Sequence, residues 1–177
     1  MAESFLRPQD AIEIWDVRPG EKIADFGCGA GYFSVPLGQR VGTGGRVYAL
    51  DIRPESLEAT RAKAKLFRVY SVETSQANLE NAGGSGLREE SVNKIIISNI
   101  LFQTQHKQGL AQEAYRVLKP GGTIMVIEWS EEKNSGGPPL ADRVNREEAE
   151  KYFLTAGFVF YKEFSAGSHH YGLIFKK

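Results

Sequence analysis

The sequence has little cysteine, no dominant sign of charge and no long hydrophobic run. Its 177 residues include one cysteine, Cys28, so an intramolecular disulfide is excluded and a reducing compartment is expected. No apolar run approaches the ~20 residues that span a bilayer, so we expect no membrane span. The opening residues MAESFLRPQD lack the apolar segment of a secretory signal. These absences together predict a cytoplasmic protein.

The charge balance bears on the partners of the protein. Lysine and arginine total 22, as do aspartate and glutamate, so the formal net charge is zero. Proteins that bind nucleic acids usually carry a basic face, so we expect no nucleic-acid partner. A hydrophobic content of 41% indicates a globular protein, and the length suits a single domain over residues 1–177. No heptad pattern is present, which leaves the oligomeric state open.

Strand-like and helix-like segments alternate along the chain. The pattern predicts strands at 22–26, 46–50, 71–77, 94–98, 123–129, 158–164 and 170–175. It predicts helices at 31–40, from Pro54 onward, at 108–118 and at 145–156. This alternation favours a mainly parallel sheet with helices on both faces. Because only residues 165–169 separate the last two strands, those strands must form an antiparallel hairpin.

Three glycines follow the first predicted strand in the stretch ADFGCGAG. Gly27, Gly29 and Gly31 stand at alternate positions where a strand should lead into a helix. Glycine permits positive φ and close backbone approach, and ligands of such sheets bind at the carboxyl ends of strands. The glycines therefore predict a turn that contacts a ligand. Tyr32 stands where the dehydrogenase fingerprint needs glycine, and the absence of a following lysine excludes a P-loop.

Two aspartates end the first two predicted strands. Asp25 precedes the glycines, and Asp51 closes the stretch VYALD. A carboxylate at the tip of the second strand can accept hydrogen bonds from both hydroxyls of a ribose. The alternative is that both acids only cap backbone N–H groups at the strand ends. Together with the glycine turn, the acids favour a nucleoside cofactor.

Four ordered motifs and the terminal hairpin resemble a known family. The stretches ADFGCGAG, VYALDIRPE, ANLEN and LKPGG, with the closing AGF…HHYGLIF, resemble class I S-adenosylmethionine-dependent methyltransferases over residues 17–177. Within that family the chain is most similar to small methyltransferases of the ubiquinone/menaquinone-biosynthesis type, the methyltransferase type 11-like group. The resemblance implies a three-layer Rossmann-like α/β fold. Its seven-stranded mixed sheet would have the order 3-2-1-4-5-7-6, with strand 7 antiparallel, and its cofactor would be S-adenosyl-L-methionine.

The resemblance also implies which residues contact the cofactor. The implied set is Asp25, Gly27, Cys28, Gly29, Gly31, Asp51, Ile52, Asn78, Leu79 and Asn99. Asp51 would hold the ribose, Ile52 and Leu79 would lie beside the adenine, and Asn99 would lie near the transferred methyl group. Asn78 stands where the family often has aspartate, and its amide oxygen can still accept a hydrogen bond from adenine.

Candidate catalytic residues lie where the strand ends on the cofactor side should form a rim. His169 and His170 belong to the final hairpin, and an imidazole titrates near neutrality, so either could accept a proton. Glu128 could be a base or could orient the substrate. The alternatives are that the histidines only build a tight hairpin and that Glu128 caps a backbone N–H. Three aromatic residues could wall an apolar acceptor site or simply pack in the interior, namely Phe102, Trp129 and Tyr171.

The sequence leaves three classes of function open. The first is methyl transfer to a small-molecule acceptor whose identity the sequence does not give. The second is a non-catalytic S-adenosylmethionine-binding module or subunit, and the third is a nicotinamide-dependent oxidoreductase, which Tyr32 disfavours. A metal site is not expected, because the chain lacks a Cys/His spacing pattern. A single cysteine also argues against arsenic methylation, which uses several thiols.

Overall fold

The computed structural model describes residues 5–131 and 137–177, which contain a seven-stranded sheet of order 3-2-1-4-5-7-6. Six neighbour relations build this sheet, and β7 runs antiparallel to both β5 and β6. The sheet order and the reversed strand expected from the sequence are thereby confirmed. The strands are β1 Lys22–Phe26, β2 Arg46–Asp51, β3 Val72–Gln76, β4 Val92–Ser98, β5 Leu118–Trp129, β6 Val159–Ser165 and β7 His170–Lys176.

The helices begin with recognisable sequence signals. Proline occupies the first turn of two of them, where its missing N–H costs no hydrogen bond. Asn145 caps the last helix by accepting a hydrogen bond of 2.8 Å from the Glu148 N–H. In the described part of the chain, no helix has the length and apolar character needed to cross a membrane. The helices are α1 Pro8–Ile14, α2 Ser34–Val41, α3 Pro54–Leu66, α4 Lys107–Val117 and α5 Arg146–Ala156.

Two boundaries differ from the sequence prediction because of glycine. The helix predicted from residue 31 begins at Ser34, since Gly27, Gly29 and Gly31 all have positive φ values that extend the turn. The segment 119–122, which follows the helix predicted at 108–118, belongs to β5 itself. There the register against β4 shifts, and the Gly121 N–H donates to the carbonyl of Lys177.

Both faces of the sheet are buried under helices. In β4, Ile95 and Ile97 belong to one apolar core and Ile96 belongs to the other. This explains why the strand reads as an unbroken apolar run, as strands covered on both sides do. The parallel strands β1, β2, β4 and β5 consequently end at one edge of the sheet, where loops and polar side chains replace the core.

Candidate active site

A cavity of about 450 Å³ lies at the carboxyl ends of β1, β2 and β4. Of the cofactor contacts expected from the sequence, all but Gly31 line this cavity. Further lining residues come from the N-terminal segment, from the start of α2 and from the turn after β4, and they include Phe5, Tyr32, Phe33 and Gln103. The structure therefore brings together residues that are far apart in the sequence.

The glycine turn forms one wall of the cavity, and its glycines serve different purposes. A Cβ atom added at Gly29 would meet nothing within 4 Å, so the backbone there is open to the cavity. At Gly27 the added atom would lie 2.5 Å from Ile100 Cγ2, so glycine is needed for close packing. A Cβ atom added at Gly31 would lie 3.1 Å from Thr60 Oγ1 of α3, and Gly31 is not among the lining residues.

Asp51 links the tip of β2 to the glycine turn. Its side chain is buried, Oδ2 accepts 2.9 Å from the Gly29 N–H, and Oδ1 accepts 2.9 Å from the Arg53 N–H. A carboxylate offers about four acceptor positions, so two remain for ligand hydroxyls. Asp51 therefore caps backbone N–H groups, as the alternative interpretation expected. It still has acceptor positions left for a ligand in the cavity that it lines.

Asp25 is the second acid of the cavity and is only 2% exposed. Its Oδ2 accepts a hydrogen bond of 2.5 Å from Ser34 Oγ. Burial raises the pKa of Asp25 to about 7, and the neighbouring Asp51 carboxylate raises it further, against the Ser34 hydrogen bonds that lower it. A positively charged ligand would favour the ionised form of this acid.

Cys28 lies between the two glycines as a buried packing residue. Its Sγ is 3.7 Å from Thr60 Oγ1, and burial raises the pKa of the thiol to about 12. A thiol with such a pKa is protonated at neutral pH and is a poor nucleophile.

Ile52, Asn78 and Leu79 line the end of the cavity beyond Asp51. Ile52 is 56% exposed, an unusual degree for isoleucine, and it offers apolar surface at the rim. Asn78 Oδ1 accepts 3.2 Å from the Glu80 N–H, so one of its acceptor positions is occupied locally. Leu79 is buried beneath the rim. This end suits a flat, largely apolar ring with polar edges.

Asn99 follows β4 and has an unusual backbone. Its φ is +55°, in the left-handed region that non-glycine residues seldom occupy, although asparagine tolerates it better than most. Its N–H donates 2.9 Å to the Ile127 carbonyl. Its Oδ1 is buried and has no hydrogen-bond partner among the described residues. An orphaned buried acceptor in a cavity wall fits a ligand that supplies the missing contact.

The three candidate catalytic residues lie outside the cavity lining. Glu128 is 1% exposed, and its Oε1 accepts 2.6 Å from the Leu101 N–H. Burial raises the pKa of Glu128 to about 7, while backbone hydrogen bonds from Leu101 and its neighbours oppose the shift. The capping alternative weighed from the sequence is therefore present in the structure. A catalytic role for Glu128 is not tested by this geometry.

His170 begins β7, and His169 directly precedes it. The His170 ring lies between Phe5 and Trp129, with centroid distances of 4.6 and 4.2 Å. Burial lowers the pKa of His170 to about 4, and the nearby His169 lowers it further, so His170 is neutral at pH 7. The backbone carbonyl of His169 accepts from the Ser130 N–H. Their catalytic roles stay predictions.

An aromatic wall borders the cavity, and part of it was not anticipated from the sequence. Phe5 lies 5.4 Å from Tyr32 and 6.0 Å from Phe33, measured between ring centroids. Phe5 reaches this place because its backbone bridges to Gly167, a long-range contact for which no local sequence signal exists. Tyr171 packs instead in the interior, where its hydroxyl donates 2.8 Å to the Val144 carbonyl.

Arg143 holds the described part of the loop after β5 to the end of that strand. Arg143 donates from Nε to the Pro138 carbonyl and from Nη1 to the Ser130 carbonyl, so it binds its own loop. It also lies over the Trp129 ring, 5.4 Å from the centroid. Residues 132–136 of this loop lie outside the described residues.

Comparison with known proteins decides the family. A family model described as a methyltransferase domain matches residues 18–163. The chain belongs to this methyltransferase domain family. Family membership confirms the resemblance seen in the motifs and with it S-adenosylmethionine as the cofactor. It also disfavours the nicotinamide alternative.

Individual relatives of this methyltransferase domain differ in length and in name. It is 34% identical over 67% of its length to the ubiquinone/menaquinone biosynthesis C-methyltransferase UbiE of Haemophilus ducreyi, covering 45% of that protein. It is 32% identical over 61% of its length to an arsenite methyltransferase of Halobacterium salinarum, covering 27% of that protein. The chain thus spans less than half the length of these relatives.

A solved structure supports the fold of the methyltransferase domain. A SAM-dependent methyltransferase from Aquifex aeolicus superimposes with a TM-score of 0.88 at 22% identity. The superposition covers 97% of this chain and 89% of the other. At that identity the likeness supports the Rossmann-like architecture and does not identify a substrate.

Proposed function

We propose that this domain binds S-adenosylmethionine in the cavity described above and transfers its methyl group to a small-molecule acceptor. The observation that carries the proposal is the convergence of the Gly29 backbone, the Asp51 carboxylate and the orphaned Asn99 Oδ1 on one cavity. Family membership supports the same reaction class. The cofactor supplies an activated methyl group on a positively charged sulfonium.

The residues present fit such a cofactor. Asp51 would accept hydrogen bonds from ribose hydroxyls, and Ile52 and Leu79 would contact the adenine. The open backbone at Gly29 would allow close approach of the methionine portion. A ligand with cationic groups would favour the ionised form of the buried Asp25 and would be attracted by its charge. The volume of about 450 Å³ is within the usual range for ligand pockets.

Positioning is the mechanism that the site supports best. Holding two reactants in line can remove several kcal/mol of barrier, on the order of 7–11 kcal/mol in favourable cases. A general base is required only when the acceptor must lose a proton during transfer. Glu128, His169 and His170 lie outside the cavity lining, so a proton-transfer role for them would need a rearrangement of the rim.

The aromatic wall favours an apolar, planar acceptor. Phe5, Tyr32 and Phe33 line the cavity, and the neighbouring His170 is neutral at pH 7. An arsenite acceptor is disfavoured, because the one thiol of this sequence is buried and has a raised pKa. We also propose that the chain acts as one cytoplasmic domain without a nucleic-acid partner.

Calorimetric titration with S-adenosylmethionine and S-adenosylhomocysteine tests cofactor binding. We expect both to bind, and Asp51→Ala to weaken binding by about tenfold or more through loss of charge-assisted hydrogen bonds. The matched control is Asp16→Asn, which alters an exposed acid that pairs with Arg18, and it should bind like the wild type. Absence of binding heat with correctly folded wild-type protein would reject the proposal.

Incubation of the protein with methyl-labelled S-adenosylmethionine and a cell extract tests methyl transfer. Label in an organic-soluble small molecule supports the proposed acceptor class. Cofactor binding without transfer of label to any fraction would favour the alternative of a non-catalytic binding module.

A further inference from the structure

Glu128 lies directly behind the turn that carries Asn99 into the cavity wall. Its side chain is 1% exposed at the end of β5, and its Oε1 accepts 2.6 Å from the N–H of Leu101. Leu101 is fully buried and begins the short 3-10 helix Leu101–Gln103. The carboxylate thus holds the backbone of this turn two residues after Asn99.

The same turn is held at two other points. The Asn99 N–H donates 2.9 Å to the Ile127 carbonyl, which extends the pairing of β4 with β5 by one residue. Ile100 packs against Gly27, so closely that an added Cβ there would lie 2.5 Å from Ile100 Cγ2. Residues 99–101 are therefore fixed between β5 and the glycine turn, and Glu128 adds a side-chain hydrogen bond to the Leu101 N–H.

Asn99 needs this support because of its conformation. A non-glycine residue with φ of +55° is strained, and such a conformation persists only where the surroundings enforce it. Asn99 lines the cavity, and its buried Oδ1 has no partner in the described parts of the chain. If the turn relaxed, this acceptor would lose its place in the cavity wall.

We infer that Glu128 is a positioning residue, whose carboxylate holds the Leu101 N–H and thereby fixes Asn99 where it contacts the cofactor. The inference rests on the proposed function, because the orientation of Asn99 matters only if the cofactor occupies the cavity. It replaces the expectation of Glu128 as a base with a role that acts through another residue. Position 128 then needs a side chain with an acceptor oxygen that reaches the Leu101 N–H, and that side chain need not be ionisable.

Two conservative variants separate the reach of the side chain from its ability to ionise. Glu128→Gln keeps the length and an acceptor oxygen but cannot exchange a proton. Glu128→Asp keeps the ionisable acid but is one methylene shorter and cannot reach Leu101. On S-adenosylhomocysteine titrated into the full chain, we expect Glu128→Gln to bind within about threefold of wild type and Glu128→Asp about tenfold more weakly.

A double-mutant cycle with Asn99→Ala tests whether the effect passes through Asn99. If it does, Asn99→Ala and Glu128→Asp should each weaken cofactor binding about tenfold, and the double variant should bind about as weakly as either single variant. Independent effects would multiply to about a hundredfold. A merely structural role would change thermal stability and leave the binding effects multiplicative.

The outcomes distinguish this inference from the proposed function. Failure of the wild type to bind S-adenosylhomocysteine would reject the proposed function. If the wild type binds normally, any one of three results would overturn the inference alone. These are tenfold weakening by Glu128→Gln, wild-type affinity of Glu128→Asp, and multiplicative effects in the cycle. If Glu128→Asp does not unfold cooperatively, the cycle is run with Glu128→Met, which also lacks the acceptor.

Discussion

Two glutamates at the same depth, Glu113 in α4 and Glu128 at the end of β5, have opposite surroundings. Each is 1% exposed. Glu113 accepts from the N–H groups of Gly83 and Ser85 and pairs with Arg116 through both oxygens, at 2.8 and 2.7 Å. Glu128 accepts through Oε1 from the Leu101 N–H, and its Oε2 has no partner among the described residues.

The pKa values of the two carboxyls diverge accordingly. Burial raises the pKa of Glu113, but the hydrogen bonds from Arg116 and Ser85 outweigh burial and lower it to about 2. Burial dominates at Glu128 and raises its pKa to about 7. A fully paired acid stabilises the fold, whereas an incompletely paired one reduces stability and is found where function requires it. Glu128 lies behind the candidate site, and Glu113 holds a loop outside the cavity lining.

The largest effect should come from removing the fully paired acid. Glu113→Ala would leave the Arg116 guanidinium and two backbone N–H groups without their acceptor, and we expect a loss of about 3–5 kcal/mol in the free energy of unfolding. Urea denaturation measures it. The control is Glu147→Ala, because that side chain is 78% exposed and should change stability by about 0.5 kcal/mol or less. A loss near 1 kcal/mol for Glu113→Ala would remove the contrast between the two glutamates.

The pH dependence of stability should have opposite signs for the two acids. Because the pKa of Glu113 is lowered from its ordinary value of 4.5, its contribution to stability is present above pH 4.5. That contribution is lost as the pH falls toward about 2. Because the pKa of Glu128 is raised, its contribution to stability is fully present below pH 4.5 and is lost as the pH rises toward about 7.

Replacing Glu128 should remove the second of these two dependences. Between pH 5 and 8 the wild type should lose roughly 3 kcal/mol more than Glu128→Gln, because the shift of Glu128 is absent from the variant. Asp25 has a raised pKa in the same range, but both proteins contain it. Unfolding measured at several pH values checks this difference. Parallel stability curves for the two proteins would contradict the raised pKa.

The smallest effect should come from a partly exposed acid. Glu80 accepts 2.7 Å from the His106 N–H and 3.3 Å from the Gln105 N–H at the start of α4. Glu80→Gln should cost about 0.5–1 kcal/mol, because a charge at a helix N-terminus is worth that much when solvent screens it. Thermal unfolding measures the change. A loss as large as that of Glu113→Ala would mean that burial of the acid does not determine how much stability its replacement costs.

Much of the fold and of the cofactor wall could be predicted from local sequence. Continuous apolar runs such as 94–98 predicted buried strands, and the short link between the last two strands required an antiparallel hairpin. The glycines and the acids Asp25 and Asp51 pointed to the cavity because carboxyl ends of parallel strands meet at one edge. These features depend on backbone preferences and hydrophobic periodicity, which can be read from neighbouring residues in the sequence.

Other parts of the site depend on contacts that no local pattern carries. The seven-residue helix α1 was not predicted, since so short a helix is marginal without packing. Phe5 lines the cavity next to its bridge to Gly167, and a Cβ atom added at Gly31 would contact Thr60 of α3. At Glu128 the sequence left a choice between base and cap.

The sequence by itself determined the order of strands and helices, the glycine turn and the acids at the strand tips, because φ preferences and hydrophobic periodicity act locally. Only the tertiary structure decided which neighbours each buried polar group acquired. Glu113 is paired with an arginine, whereas Glu128 accepts from backbone N–H groups, and this difference in partners sets their pKa values apart. Both residues are glutamate in the sequence, and long-range packing alone gives them different roles.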